Sequence, residues 1–207
     1  ERGVQEVTLL GQNVADYKST QMKGEKAERL AWLVRRISAE TGIKRIRFTS
    51  PHPRDIDDDL VAVYGDLKTL CSHIHLPVQS GNNRVLKQMK RGYTRERYLE
   101  LVEKLRCSCP GIAITTDIIV GFPSETEGEF GETVDLVERA AFDQIFAFAY
   151  SPRPGTYAAN FLEDDVPLQE KQERLLHLLE VQRRVTCQKN EAAVGSICEV
   201  LVTTTDR

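Results

Sequence analysis

Asp117 is the residue whose type and setting most clearly indicate chemistry. It stands in the middle of an apolar, β-branched segment at 112–120, which is predicted to be a strand. A carboxylate inside such a strand costs several kcal/mol unless a cation, a hydrogen-bond donor or a ligand compensates its charge. The strand ends at Gly121, and Ser124 and Glu127 have the spacing of a capping box at the start of a helix. The segment therefore predicts an acidic group held near a strand-to-helix turn.

The same design recurs along the chain. Apolar segments that are predicted to be strands lie near 5–10, 44–49, 73–78, 112–120 and 144–150. Polar tips follow the strands other than that of Asp117 at 11–13, 50–52, 79–82 and 151–155. Because the carboxyl ends of parallel strands meet at one edge, these tips describe the mouth of a parallel β/α barrel, where sites are built.

Helical periodicity separates the predicted strands and sets the fold class. It appears at 25–40, 55–65, 94–106, 126–140 and 167–190. Thr94 is predicted to be an N-cap and Pro167 to stand in a first helical turn. Strands that alternate with helices predict right-handed βαβ units and a parallel sheet. A full barrel needs about 250 residues, so we predict an α/β fold with a partial parallel (β/α) barrel of about five units.

Side-chain alternation predicts a polar interior for this barrel. On one face of the strands it collects Thr8, Arg47, His75, Gln79 and Asp117. Helices cover the outside of a β/α barrel, so the apolar faces should point outward and the polar face inward. Asp117 and Arg47 are then the candidate catalytic residues. Two roles stay open for Asp117, namely a structural ion pair with Arg47 or a hydrogen-bond acceptor for a ligand.

Composition excludes some classes of function. The chain has 207 residues and a net charge of −3, so any contact with RNA would have to come from a local basic patch. No apolar run approaches the roughly 20 residues of a membrane span, and no membrane partner is expected. The five cysteines have no metal-ligand spacing, which predicts reduced thiols of a cytoplasmic protein and no metal site among them.

Five segments together resemble one enzyme family. They read Leu-Leu-Gly-Gln-Asn-Val at 9–14, Arg-Ile-Arg-Phe-Thr-Ser-Pro-His-Pro at 45–53, His-Leu-Pro-Val-Gln-Ser-Gly at 75–81, Asp-Ile-Ile-Val-Gly-Phe-Pro at 117–123 and Tyr-Ser-Pro-Arg-Pro-Gly-Thr at 150–156. In this order they resemble the methylthiotransferase branch of the radical S-adenosylmethionine (SAM) enzymes. The first segment is most similar to that of the tRNA-modifying members.

The resemblance implies a reaction, cofactors and partners. A reduced 4Fe-4S cluster would split SAM, and the resulting radical would take hydrogen from C2 of N6-isopentenyladenosine beside the anticodon. A methylthio group carried on a second 4Fe-4S cluster would then be inserted, with a second SAM supplying the methyl. The partners would be a tRNA anticodon stem-loop and an electron donor, and the protein a cytoplasmic monomer.

The resemblance also implies a division of the chain. Residues 1–190 would be the radical SAM barrel without its first strand and cluster loop, and 191–207 the start of a β-rich TRAM domain, with its first strand at 195–203. The family's cluster cysteines would lie upstream of Glu1, and none of the five cysteines here matches them. The chain by itself is therefore expected to be inactive.

The family's cofactor contacts map onto eight residues of this chain. Gly11, Gln12 and Asn13 correspond to contacts with the methionine end of SAM, and His75 and Gln79 to contacts with its ribose. Ile118 and Val120 resemble an apolar wall against adenine, where Gly121 would relieve crowding. A tight turn at 11–13, an interior histidine at 75 and a plain strand terminator at 121 are the structural alternatives.

Four residues are candidates for contact with RNA. Lys90 and Arg91 belong to a basic cluster that also holds Lys87, Arg95 and Arg97. Such a cluster can meet phosphates, although a charged helix face is more often merely solvated.

Arg153 is fixed at the predicted mouth by the Pro-Arg-Pro-Gly turn. Tyr150 shares a strand face with Phe146 and Phe148 and could stack on a base, or simply pack.

Alternative functions remain open at this point. One is the sibling enzyme that methylthiolates a ribosomal-protein aspartate, and another is a non-catalytic, RNA-binding barrel fragment. A β/α-barrel enzyme for a phosphorylated sugar would need a glycine-rich phosphate loop at the later strand tips, and none is visible.

Overall fold

Parallel strands joined by helices form the framework of the chain. The computed structural model describes residues 3–19, 28–49, 51–197 and 200. The strands are β1 (Glu6–Leu9), β2 (Arg45–Phe48), β3 (His73–His75), β4 (Ala113–Val120) and β5 (Gln144–Ala149). The helices are α1 (Leu30–Glu40), α2 (Asp58–Asp66), α3 (Asn83–Gln88), α4 (Arg95–Ser108), α5 (Glu127–Ala140), α6 (Tyr157–Phe161) and α7 (Leu168–Ala193). Each of the five strands predicted for the barrel is thus confirmed near its predicted position.

The strands follow one another in chain order and all run parallel. β1 pairs with β2, with Thr8 opposite Arg47. β3, β4 and β5 form a second set, with His75 opposite Thr115. A bridge between Ile46 and Leu70 joins the two sets just before β3 begins. Among the described residues β1 and β5 are the two edges, so this is the open, partial β/α barrel that the sequence predicts.

The core lies between the strands and a layer of helices. Neighbouring helices of this layer pack in the pairs α1–α2, α2–α4, α4–α5 and α5–α7. Wholly buried side chains from both layers meet there, among them Val34, Ile46, Ile74, Leu105, Ile114, Leu136 and Leu178. Each such side chain stabilises the fold by about 1.5–3 kcal/mol relative to exposure, so a one-residue slip of a strand is strongly disfavoured. On the opposite face of the strands the described side chains are partly or fully exposed to solvent.

Helix capping agrees with the sequence at one position and differs at another. The side chain of Thr94 accepts a hydrogen bond from the backbone of Arg97 and caps α4, as predicted. The capping box before α5 is formed by Thr126 and Glu129, so the prediction of Ser124 with Glu127 is wrong by two residues. Ser124 instead has a left-handed backbone with φ of +60°, and its amide and hydroxyl both donate to Asp165.

The last helix passes the predicted domain boundary. α7 ends at Ala193, three residues beyond position 190, and Pro167 is its N-cap. Gly195 lies in a turn, and Ser196 and Ile197 have no regular structure. Cys198, Glu199 and residues 201–207 lie outside the described residues, so the TRAM strand stays a prediction. None of the helices in the described ranges is long and apolar enough to cross a membrane.

Candidate active site

The open face of the strands carries a small hydrogen-bonded group. His75 Nε2 lies 3.3 Å from Oδ2 of Asp117, and the two side chains are 22% and 30% exposed. His75 Nδ1 lies 3.0 Å from Oγ1 of Thr115 on the neighbouring strand. The ring of Phe146 on β5 meets the His75 imidazole edge to face, with 5.8 Å between ring centroids. Alternation thus gives the predicted polar face, on which these side chains are partly open to solvent.

The predicted pair of Arg47 with Asp117 does not form. Arg47 Nε lies 3.1 Å from Oε1 of Glu6 on β1 instead. The reason is the order of the strands, because β3 separates β2 from β4 and places His75 beside Asp117. The sequence predicts a buried Asp117, but this side chain is 30% exposed. Because water reaches the carboxylate, no strong cation is needed beside it.

A cleft of about 640 Å³ opens at the carboxyl ends of β4 and β5. Five of the predicted site residues line it together with Asp117, namely Gln79, Lys90, Arg91, Tyr150 and Arg153. Its walls include residues that were not among the predicted site residues, among them Gln88, Met89, Ile119, Phe122, Ser151, Thr156, Tyr157 and Ala158. Its volume lies in the range of small-molecule sites, so this cleft is the candidate active site.

The apolar wall of the cleft differs from the predicted one. Ile118 and Val120 are wholly buried on the helix side of β4, so their prediction as a wall facing the ligand is wrong. Ile119 lies on the same face as Asp117 and lines the cleft. Side chains two residues apart on a strand lie on the same face, so the position of Asp117 also predicts that Ile119 faces the cleft. The sequence therefore contained the information needed to find Ile119.

Gln79 holds an unusual backbone conformation at the edge of the cleft. Its φ of +73° lies in the left-handed region, which costs a residue with a side chain about 1 kcal/mol or more. Its amide donates to the carbonyl of Asp117 and its carbonyl accepts from Ile119, both at 2.9 Å. These bonds maintain the conformation and hold Gln79 beside Asp117 in the cleft wall.

Gly121 is required by packing against α7. Its φ is +66°, and a Cβ at this position would overlap Cγ of Lys171. Its amide donates to Oε2 of Glu125 at 2.6 Å. The glycine therefore lets α7 approach the end of β4, and this contact accounts for the residue without any ligand.

The turn after β1 is held by its own hydrogen bonds. Asn13 donates from Nδ2 to Asp55 at 2.7 Å and accepts through Oδ1 from the amide of His52 at 2.9 Å. Gly11 and Gln12 are exposed, and none of the residues 11–13 lines the cleft. The structure thus gives Asn13 a role in joining the ends of β1 and β2, and contact of this turn with SAM stays a prediction.

Cations and aromatic rings surround the mouth of the cleft. Lys90 Nζ lies 3.7 Å from the ring centroid of Tyr157. Arg91 donates to the carbonyl of Pro77, so part of its guanidinium is already engaged. Arg153 is exposed.

Burial and the Asp164 carboxylate raise the pKa of the Tyr150 phenol, which keeps it a neutral hydrogen-bonding group.

Comparison with known proteins identifies the family. The model of the radical SAM superfamily matches residues 1–137. This chain belongs to the radical SAM superfamily. Relatives named tRNA-2-methylthio-N(6)-dimethylallyladenosine synthase match 98% of the chain, with 52% identity in Moorella thermoacetica and 47% in Syntrophotalea carbinolica. The chain spans 45% of the length of each of these relatives.

A solved structure supports the same fold for this radical SAM chain. It is the coproporphyrinogen III oxidase HemN from Escherichia coli, described as a radical SAM enzyme. The TM-score is 0.57 and the sequence identity 21%, over 68% of this chain and 32% of HemN. At this identity the match establishes the architecture only.

The described residues suit one of the superfamily's cofactors. SAM joins an amino acid to a nucleoside, and the cleft offers the carboxylate of Asp117 and the amide of Gln79 beside the apolar Ile119 and Phe148. For a cluster the case differs, because the described residues contain no group of three or more His, Cys, Asp or Glu side chains that could hold a metal ion.

Proposed function

We propose that this chain is the SAM- and substrate-binding part of a tRNA methylthiotransferase. The enzyme would convert N6-isopentenyladenosine beside the anticodon to its 2-methylthio derivative. The observation that carries the proposal is the 52% identity over 202 residues with a relative of that name, which includes the cleft and its rim. The chain covers less than half of that relative, so the activity is assigned to the full-length protein.

The residues of the cleft would divide the work of binding. Asp117 would accept hydrogen bonds from hydroxyl or amino groups of the ligand, and the adjacent Gln79 side chain would add a second polar contact. Ile119 and Phe148 would pack against a base and exclude water. When bound, SAM together with a reduced 4Fe-4S cluster supplies the hydrogen-abstracting radical.

The rim of the cleft would bind the RNA. Lys90 and the exposed Arg153 can neutralise phosphates on either side of the target nucleoside. The rings of Tyr150 and Tyr157 line the cleft and would contact unstacked bases of an anticodon loop. The enzyme would be cytoplasmic, because it acts on tRNA, and would act as a monomer. An electron donor would supply the electrons that the reaction consumes.

One assay separates this proposal from its alternatives. The full-length protein is reconstituted anaerobically with iron and sulfide, reduced, and given SAM with an isopentenylated anticodon stem-loop or with a ribosomal-protein peptide that contains aspartate. Mass spectrometry of the digested RNA should show one methylthio group in place of one hydrogen. A gain on the peptide alone would identify the sibling enzyme, and RNA binding without SAM binding would identify a non-catalytic RNA-binding protein.

A further inference from the structure

A chain of hydrogen bonds runs along the open face from the cleft toward the other end of the strands. Asp117 contacts His75, and His75 contacts Thr115 through its second ring nitrogen. Oγ1 of Thr115 also lies 3.4 Å from Nε2 of His73, two residues before His75 on β3. The four side chains alternate between β3 and β4, and the pairing of His75 with Thr115 fixes their register.

The types of these groups set the direction of the hydrogen bonds. An ionised carboxylate only accepts, so the hydrogen of a neutral His75 must lie on Nε2 for the contact with Asp117. Nδ1 is then an acceptor and takes the hydroxyl hydrogen of Thr115. The hydroxyl oxygen in turn accepts from Nε2 of His73. One consistent order of donors therefore runs from His73 through Thr115 and His75 to Asp117.

The surroundings of His73 favour its neutral state, which fits this order when the hydrogen lies on Nε2. Burial lowers the pKa of His73, and the positive Arg47 and neighbouring His75 lower it further, whereas Asp143 opposes the shift. A neutral His73 donates through one nitrogen only, and in this order that nitrogen is Nε2, which donates to Thr115. Within the described residues no protein donor bonds Oδ1 of Asp117, and Asp117 lines the cleft.

We propose that His73 and Thr115 fix His75 in its Nε2–H tautomer and that His75 thereby positions the carboxylate of Asp117 for a ligand. All three are positioning residues, because only Asp117 of the four lines the cleft. The ligand group is a hydroxyl or amino donor, which both SAM and a nucleoside in RNA possess. The inference rests on the proposed function, since that function supplies these two ligands.

Thr115→Val in the full-length protein tests the chain of hydrogen bonds. Valine keeps the shape and the β-branched preference of threonine but removes the hydroxyl, so His75 loses its partner at Nδ1 and only Asp117 still favours the Nε2–H tautomer. Calorimetric titration with SAM and, separately, with the isopentenylated stem-loop shows which ligand Asp117 holds. For that ligand we expect affinity about tenfold weaker, as for the loss of one net hydrogen bond. Thr115→Ser, which retains the hydroxyl, should restore the affinity.

A double variant separates positioning from a general structural effect. If Thr115 acts through Asp117, Thr115→Val should cause no further loss of affinity in an Asp117→Asn background. Wild-type affinity of Thr115→Val for both ligands, or losses that add in full in the double variant, would overturn the inference.

A spectroscopic measurement decides the tautomer without any ligand. Nitrogen-15 resonances of labelled histidine, assigned with the variant His75→Asn, should show His75 protonated at Nε2 in the wild-type protein and a larger share of the Nδ1–H tautomer in Thr115→Val. A wild-type His75 protonated at Nδ1 would overturn the inference even if the enzyme methylthiolates RNA normally. Absence of turnover on RNA with the expected tautomer would instead refute the proposed function alone.

Discussion

Arg174 of α7 lies with Nη1 3.0 Å from Oε2 of Glu125, and both side chains are almost wholly buried. The same carboxylate oxygen accepts from the amide of Gly121 at the end of β4. Burial raises the pKa of Glu125, while the Gly121 amide and Arg174 oppose the rise. The pair thus attaches the last helix to the turn that bounds the cleft, next to Phe122 and Tyr150.

Loss of the arginine from this pair should destabilise the fold strongly. Arg174→Met leaves the Glu125 carboxylate buried without its cation, which costs about 3–5 kcal/mol. Urea denaturation of the full-length protein measures the change. The matched control is Arg183→Met on the exposed side of α7, where water screens the pair with Glu180 and its loss should change stability little. Equal effects of the two variants would contradict the assignment.

Two glycine substitutions should change stability in opposite directions. Gly121→Ala forces a side chain into the left-handed region, at a cost of about 1–3 kcal/mol, and against Lys171. Gly131→Ala lies within α5, where a new Cβ meets nothing within 4 Å, and should stabilise by about 0.5–1 kcal/mol. Thermal unfolding of both variants checks the pair, and a stabilising Gly121→Ala would refute the packing argument.

Asp117→Asn should separate binding from folding. Since the side chain is partly exposed and Arg47 has its own partner, stability should change by less than about 1 kcal/mol. Affinity for the ligand that Asp117 holds should fall about tenfold, because a charged acceptor is lost. Asp66→Asn, on an exposed helix end away from the cleft, serves as the control for affinity. Severe unfolding with normal affinity of the remaining folded protein would show a structural role for Asp117 instead.

Cations at the rim should determine the salt dependence of RNA binding. Arg153→Gln and Lys90→Gln would each remove one of the proposed phosphate contacts, so each should reduce the salt slope of binding by about 1. Fluorescence anisotropy with a labelled stem-loop, measured across salt concentrations, gives the slope. Lys104→Gln removes an exposed charge on α4 outside the cleft and should leave the slope unchanged. Unchanged slopes for both rim variants would exclude this rim as the RNA contact.

Glu129 should make stability depend on pH in the acid range. Its hydrogen bonds with Arg84, and secondarily with Thr126, lower its pKa from 4.5 to about 2. The folded pKa lies below the unfolded one, so this contribution is present above pH 4.5 and is lost as the pH falls toward about 2. Glu129→Gln removes it. The difference in unfolding free energy between wild type and variant should therefore shrink over that interval, and a constant difference would contradict the pair.

The sequence by itself determined the strands, the helix layer and the face on which polar residues lie. These depend on local periods of two and 3.6 residues, as the positions of β1 to β5 and the cap at Thr94 show. The order of the five segments was enough to indicate the family. It did not require any contact between distant residues.

Only the tertiary structure decided which side chains meet. In the order of the strands β3 lies between β2 and β4. Asp117 therefore pairs with His75, and Arg47 pairs with Glu6. By sequence, Ser124 and Thr126 are both suitable caps for the start of α5. In the structure Ser124 donates to Asp165 in the distant loop before α7, and Thr126 caps the helix. The rim is assembled from loops and helices far apart in the chain. Periodicity describes each element separately, whereas such contacts depend on how the elements pack together.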